Sequence, residues 1–158
     1  MKIIKFRGKS KVLKTWMYGS LIVDGEKKYI VTKRISTGGL DEVIPKSVGQ
    51  FIGLCDKNNK ELYTGDIVVW ISSWGEKIFG YIRYSERRAR FYVDLLKGGI
   101  QTFYDFSREG DGTCFGWSDL EIIGNRTETF KIVIKTKTSK IVVKNKSHHS
   151  GFLTLTSN

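Results

Sequence analysis

An all-β (mainly β) chain is predicted: a small N-terminal β-unit over residues 1–48, an SH3-like β-barrel over 49–126, and a basic C-terminal β-hairpin tail over 127–158. Three observations predict it. No window of eleven or more residues carries a 3.6-residue apolar period. Pro45 is the only proline among 158 residues, so the 17 glycines must do most of the turning. Short β-branched and aromatic runs recur between clusters of Gly, Asn, Asp and Ser, the rhythm of a small barrel or sandwich. A Gly-Asp turn into a strand, followed by a glycine-bearing second strand, is also the rhythm of SH3-like barrels, an analogy of fold that assigns no function.

The elements follow in order. "KIIKFR" reads as a first strand. "GSLIVDGEKKYIVTK" is the clearest hairpin, with β-branched runs on both sides of Asp24-Gly25, a pair suited to φ > 0 in a tight turn. "RISTGGLDE" is a loop, and Val43-Ile44 leads into "SVGQFIGL", a short strand or a turn of helix. "DKNNKE" opens like a calcium loop, which requires D-x-[DN]-x-[DN]-G-x₅-E. Asp56 and Asn58 fit, but Lys60, Glu61 and Ile67 stand where an oxygen ligand, a glycine and a bidentate glutamate belong. An Asx turn, with side-chain oxygens bonding nearby backbone, is the reading. "ELYTGDIVVW" is a turn at Gly65-Asp66 and a strand from Ile67 to Ile71. "GEKIFGYIRYSERRARFYVDLL" gives two strands around Ser85–Arg88, with Phe91, Val93 and Leu95 on one face and Tyr92 and Asp94 on the other. "GGIQTFYDF" is another strand, "SREGDGTCFGW" a glycine-rich turn, and "SDLEIIGN" a closing strand. In the tail, "KIVIK" and "KIVVK" recur nine residues apart. This predicts a hairpin turning at Thr138-Ser139, because disordered segments are poor in β-branched residues. The end after Ser147 reads as frayed.

Formal net charge is +11, concentrated at the two ends. Lys2, Lys5, Arg7, Lys9, Lys11 and Lys14 meet no acid within the first sixteen residues, nor do Lys131, Lys135, Lys137, Lys140, Lys144 and Lys146 after residue 130. The middle is nearly neutral, with fifteen bases against sixteen acids. Clustered positive charge suggests a polyanion partner. Cys55 and Cys114 have no metal-site spacing and read as reduced thiols. With neither a signal-peptide pattern nor an apolar run approaching a membrane span, the expectation is a cytoplasmic protein without a membrane partner.

Chemistry is sparse. His148 and His149 lie together in the frayed end and alternate faces on an extended chain, so neither a metal site nor a nucleophile–histidine arrangement is expected. Gly8-Lys9-Ser10 follows a strand but lacks the earlier glycine of a phosphate loop, since position 3 is Ile. Asp105, Glu109, Asp111, Asp119 and Glu121 have no recognisable spacing for acid–base work or Mg²⁺. No catalytic residue, metal or cofactor is assigned, and the chain is not expected to be an enzyme. Twelve of the twenty aromatics fall between Trp70 and Trp117, interleaved with Arg83, Arg87, Arg88 and Arg90. Most should fill a core. Tyr81, Tyr84 and Tyr92 are the candidates for an outward face, where aromatic rings and cations hold single strands.

"VGQFIGLCDKNNKELYTGDIVVW" resembles the signature of the YopX family, small proteins of phages and prophages. The resemblance rests on Gly49-Gln50, Gly53-Leu54, Asp56-Lys57-Asn58, Lys60-Glu61, Tyr63 and Gly65-Asp66-Ile67-Val68. "IIKFRGKS" with "WMYG" resembles the family's start, and "DLEIIGN" its closing strand, so the likeness covers about residues 2–125. Asn59 stands where the family commonly has glycine, and asparagine also tolerates a left-handed turn. Members often stop soon after the Ile-Gly-Asn step, so the likeness is silent about the basic tail. It implies a mostly β fold with an SH3-like part, a phage or prophage setting in a bacterial host, and is compatible with homo-oligomeric assembly; it implies no catalytic residues.

The expected function is therefore non-catalytic binding of DNA or RNA. The basic ends would neutralise phosphate, and the four arginines and three tyrosines above would add contacts. The alternative is a protein-interaction or self-assembly module that pairs edge strands between copies.

Overall fold

The computed structural model describes residues 4–32, 39–72, 74–103, 115–116, 120–128, 132–135 and 140–143, with the backbone alone for 115–116, 132–135 and 140–143. Strands run through these residues in the order β1 (Phe6–Lys9), β2 (Trp16–Asp24), β3 (Lys27–Val31), β4 (Leu40–Val43), β5 (Gly49–Cys55), β6 (Glu61–Tyr63), β7 (Asp66–Ile71), β8 (Lys77–Ser85), β9 (Arg90–Leu95), β10 (Ile100–Thr102), β11 (Phe115–Gly116), β12 (Glu121–Asn125), β13 (Ile132–Lys135) and β14 (Lys140–Val143). A 3-10 turn, Pro45–Ser47, precedes β5. The chain is mainly β, as its periodicity predicts.

The strands form one sheet in the order β11-β5-β1-β2-β3-β4, with β6 on β5, and a second in the order β10-β9-β8-β7-β12; β13 and β14 pair separately. The expected closed SH3-like barrel is not formed. Its first strand, β5, is recruited elsewhere: it pairs with β1 through Phe6↔Gln50 and Arg7↔Gly49. The second sheet therefore stays open and is covered by β5 and β6 rather than sealed edge to edge. The expected division at residue 48 falls between strands of one sheet.

The core lies where the two sheets meet. Ile52 of β5 and Leu62 of β6 pack with Val68 and Trp70 of β7, Ile82 of β8, Val93 of β9 and Leu120. β9 alternates as predicted: Val93 is fully buried, and Phe91 and Leu95 lie against the core. Gly80 faces Val93 so closely that a Cβ there would sit 2.4 Å from Val93 Cγ1 and 2.9 Å from the Asp94 carbonyl oxygen. Gly80→Ala should cost about 1–3 kcal/mol, the usual penalty of overpacking. A denaturant midpoint lowered at unchanged m-value would check this.

Local readings hold in part. Register pairs Asp24 with Lys27, so the loop of the first hairpin is Gly25-Glu26, one residue later than read. β1 starts at Phe6 rather than Lys2 and runs on through Lys9. The ambiguous stretch after Val43 becomes both options, a 3-10 turn and then β5. "DKNNKE" is an Asx turn: Asp56 Oδ1 accepts from the Asn58 N–H at 2.8 Å and the Lys60 N–H at 2.9 Å. Asn59 takes φ 60°, the left-handed conformation expected of it. The tail hairpin forms with Ile132↔Val143 and Lys135↔Lys140 in register; its turn at Thr138-Ser139 lies outside the described residues, as do Asp105, Glu109, Asp111, Asp119, His148 and His149.

The reduced state expected of the thiols is corrected for Cys55, which is disulfide-bonded. Cys114 lies outside the described residues. β11, which follows it, runs parallel to β5 with Gly116 opposite Cys55, a proximity that no sequence spacing announces. Among the described residues no helix is long and apolar enough to cross a membrane.

Candidate nucleic-acid interface

The N-terminal bases come first, because the sequence shows them without acids and the fold supplies acids from afar. Lys5 donates to Glu61 at 2.6 Å and Lys9 pairs with Glu128 at 3.2 Å. Lys11 pairs with Glu42 at 2.5 Å. Arg7 donates to Asp66, and both are buried. Four of the six N-terminal bases thus pair with carboxylates brought from elsewhere in the fold, one pair buried and three partly exposed.

The Arg7–Asp66 pair is the centre of a buried network. The Arg7 guanidinium lies between the rings of Trp16 and Tyr63, 4.6 Å from each centroid. Stacking suits this planar, weakly hydrated cation. Asp66 accepts from the Tyr63 N–H at 2.9 Å and from Asn125 Nδ2 at 3.3 Å. Burial pushes its carboxyl above the ordinary range, against the opposing pull of Arg7, Tyr63 and Asn125. Beside it, the Tyr63 hydroxyl donates to Glu61 at 2.6 Å, and burial with that hydrogen bond pushes the phenol up. Burial also works to raise Glu61, but the hydrogen bonds from Lys5 and Tyr63 outweigh it and hold the carboxyl low. Through Arg7, Asp66 and Asn125 the network fastens β1, β7 and β12 together. Among the described residues no group of three or more His, Cys, Asp or Glu could hold a metal ion.

A different surface opens where β8 outruns β7. Their register ends at Ile67↔Tyr81, and Gly65 reaches one residue further with its N–H on the Ile82 carbonyl at 2.8 Å. Gly65 can end the strand this way because its φ is +89°, a region open to glycine. Beyond that point lies a cleft of about 260 Å³ lined by Gln50, Thr64, Tyr81, Arg83, Tyr84 and Arg126, among others. Thr64 Oγ1 accepts from the Gln50 N–H at 2.9 Å, which fixes that wall. The Arg126 N–H donates to the Gly65 carbonyl at 2.9 Å, and its guanidinium lies 5.7 Å from the Tyr81 ring centroid. Burial raises the Tyr81 phenol above its ordinary value.

Of the residues predicted for binding, the fold gathers Tyr81, Arg83 and Tyr84 at this cleft. Tyr84 is 45% exposed and rests its ring against Phe91 at 5.1 Å between centroids. Arg83 is held by Asp94 at 2.7 Å. Tyr92 stands opposite Arg83 on β9 and is half-buried. Arg87, Arg88 and Arg90 are exposed on the β8–β9 turn and its exit, and none forms an ion pair among the described residues. Lys135 and Lys140 face each other in the register of the tail hairpin; Lys131, Lys137, Lys144 and Lys146 lie outside the described residues. Sequence reasoning missed Gln50, Thr64 and Arg126. The signal was present in part, since Gln50, Gly65 and Asn125 stand in the stretches that resemble the family pattern.

No curated protein matches the sequence. The family model described as YopX protein matches residues 5–133. That span takes in both sheets, the buried Arg7–Asp66–Asn125 fastener and the cleft beside β8, and by it the chain belongs to the YopX family.

Proposed function

We propose that this YopX-family chain is a non-catalytic nucleic-acid-binding protein of a phage or prophage, acting in the cytoplasm of a bacterial host. The supporting observation is the exposed arginine cluster on the β8–β9 turn together with the basic sequence of the tail. Four of the six N-terminal bases pair with Glu61, Asp66, Glu128 and Glu42. Arg87, Arg88 and Arg90 are exposed on the β8–β9 turn and its exit with no ion pair among the described residues, and the sequence adds six lysines and no acid after residue 130. Polyphosphate is the common ligand of such surfaces, and binding is sequence-tolerant and salt-dependent.

Fluorescence anisotropy of a labelled single strand across a salt series tests this. For a single strand the log–log slope is about −0.7 per phosphate contact. Replacing Arg87, Arg88 and Arg90 by Ala should flatten it by about 2 units, and replacing the six tail lysines by Gln by about 4. Absence of binding at low salt by the unaltered protein would overturn the reading.

The second reading, self-assembly, has its own observation. Ile22 and Leu40 are exposed on β2 and β4. Register through Ile22↔Tyr29 and Val31↔Leu40 puts them on the face that also carries Tyr18. A homo-oligomer that persists in high salt, and that Ile22→Lys dissolves, would favour this reading.

A further inference from the structure

We propose that the cleft beside β8 is a subsite for one unpaired base of a single strand, an inference that rests on the nucleic-acid reading above. The cleft combines the three things such a subsite requires. The first is aromatic surface: Tyr81 lines the cleft, and Tyr84 lines it with nearly half of its own surface exposed. Every base has a π-face, so stacking tolerates any sequence. The second is a cation near the ring. Arg126 lies over Tyr81, where its guanidinium plane adds cation–π attraction and can meet a flanking phosphate. The third is a hydrogen-bonding wall. The Gln50 amide and the Thr64 hydroxyl carry donors and acceptors for a base edge, on a wall fixed by the Gln50 N–H bond to Thr64.

Size and charge narrow the occupant. About 260 Å³ lies just under the ~300 Å³ at which sites for drug-sized ligands begin. It suits one base with its sugar rather than a stacked run. The lining residues include arginines and no carboxylate, which favours an anionic chain over an acidic-residue-seeking peptide. A duplex buries its bases in the stack and cannot deliver one without unpairing. The subsite therefore separates single strands from duplexes, whereas the β8–β9 arginines and the tail read phosphate alone.

The test uses the full chain with three probes: fluorescein-labelled oligo-dT, a labelled hairpin duplex, and an abasic strand of the same length. Tyr84→Ala should weaken oligo-dT binding about 5- to 150-fold, the range of one lost base stack, while leaving the salt slope and duplex binding unchanged. The abasic strand should bind both proteins equally. Arg126→Ala should weaken oligo-dT binding and flatten the slope by about 0.7 if its guanidinium meets phosphate. A thermal midpoint within a degree or two of the parent shows that each variant is folded; Tyr84→Phe, which keeps the ring, should bind as the parent does. If Tyr84→Ala and Arg126→Ala bind oligo-dT like the parent, the subsite is overturned and the phosphate-binding reading stands. If the parent binds none of the three probes, the nucleic-acid reading itself falls, and the subsite with it.

Discussion

Asp66→Ala should destabilise the protein by about 3–5 kcal/mol, the usual cost of removing one partner from a buried ion pair. The carboxylate is 1% exposed and accepts from Arg7, the Tyr63 N–H and Asn125. Without it, a guanidinium stays buried between two aromatic rings with no anion, and a backbone N–H and an amide lose their acceptor. The intact pair need not be a large net gain: burial of Asp66 is costly enough to push its carboxyl upward despite Arg7. The asymmetry is what the experiment reads. Adding Arg7→Met to Asp66→Ala removes the stranded cation, so the double variant should be less destabilised than the two single losses summed, by a coupling of about 0.5–3 kcal/mol. Urea unfolding of the four proteins measures it. Strict additivity would show that the two groups do not sense each other and that the network is not a fastener.

How much of this was legible depends on the distance over which each feature is set. The first hairpin, the Asx turn at Asp56–Lys60 and the two faces of β9 were readable because alternation and turn chemistry act over a few residues. The continuation of β1 to Lys9 was missed because Lys9 looks like a solvated charge until Glu128 arrives from 119 residues away. The open second sheet was missed for the same reason: nothing within β5 says that it will pair with β1. Its register against β6 also shifts between Phe51 and Cys55, an irregularity that two-residue alternation cannot signal. At the cleft, Tyr81, Arg83 and Tyr84 were found from one local run, whereas Gln50, Thr64 and Arg126 join them only through the turn that Asp66 anchors.

That turn explains why a signature can mark a protein without naming a reaction. Thr64 and Gly65 line the cleft, and Asp66, the next residue, is locked to β1 and β12. Arg126 follows Asn125 out of the same network and is tied back to Gly65. The buried charges thus set the geometry of a surface that they do not themselves reach.

Asp56 should be the second costly position, and its two substitutions should differ in kind. The side chain is 1% exposed. Oδ1 serves the turn through Asn58 and Lys60, while Oδ2 accepts from the Ile122 N–H of β12 at 3.1 Å. The Lys57 N–H donates to the Leu120 carbonyl at 2.8 Å, and Lys57 pairs with Glu121 at 2.6 Å, so the turn clasps the start of β12. Asp56→Ala removes both functions and should cost about 2–4 kcal/mol, since partly buried donors lose a charged acceptor. Asp56→Asn can keep one oxygen on the turn but offers an NH₂ where Ile122 needs an acceptor. It should cost about half as much, and hydrogen exchange should rise selectively in β12 while the turn amides stay protected. Leu120 belongs to the central core, so loosening this clasp should also lower cooperativity between β12 and the second sheet. If Asp56→Asn instead exposes the turn amides and leaves β12 protected, the carboxylate serves the loop alone, and the strand must be held by its pairing with β7.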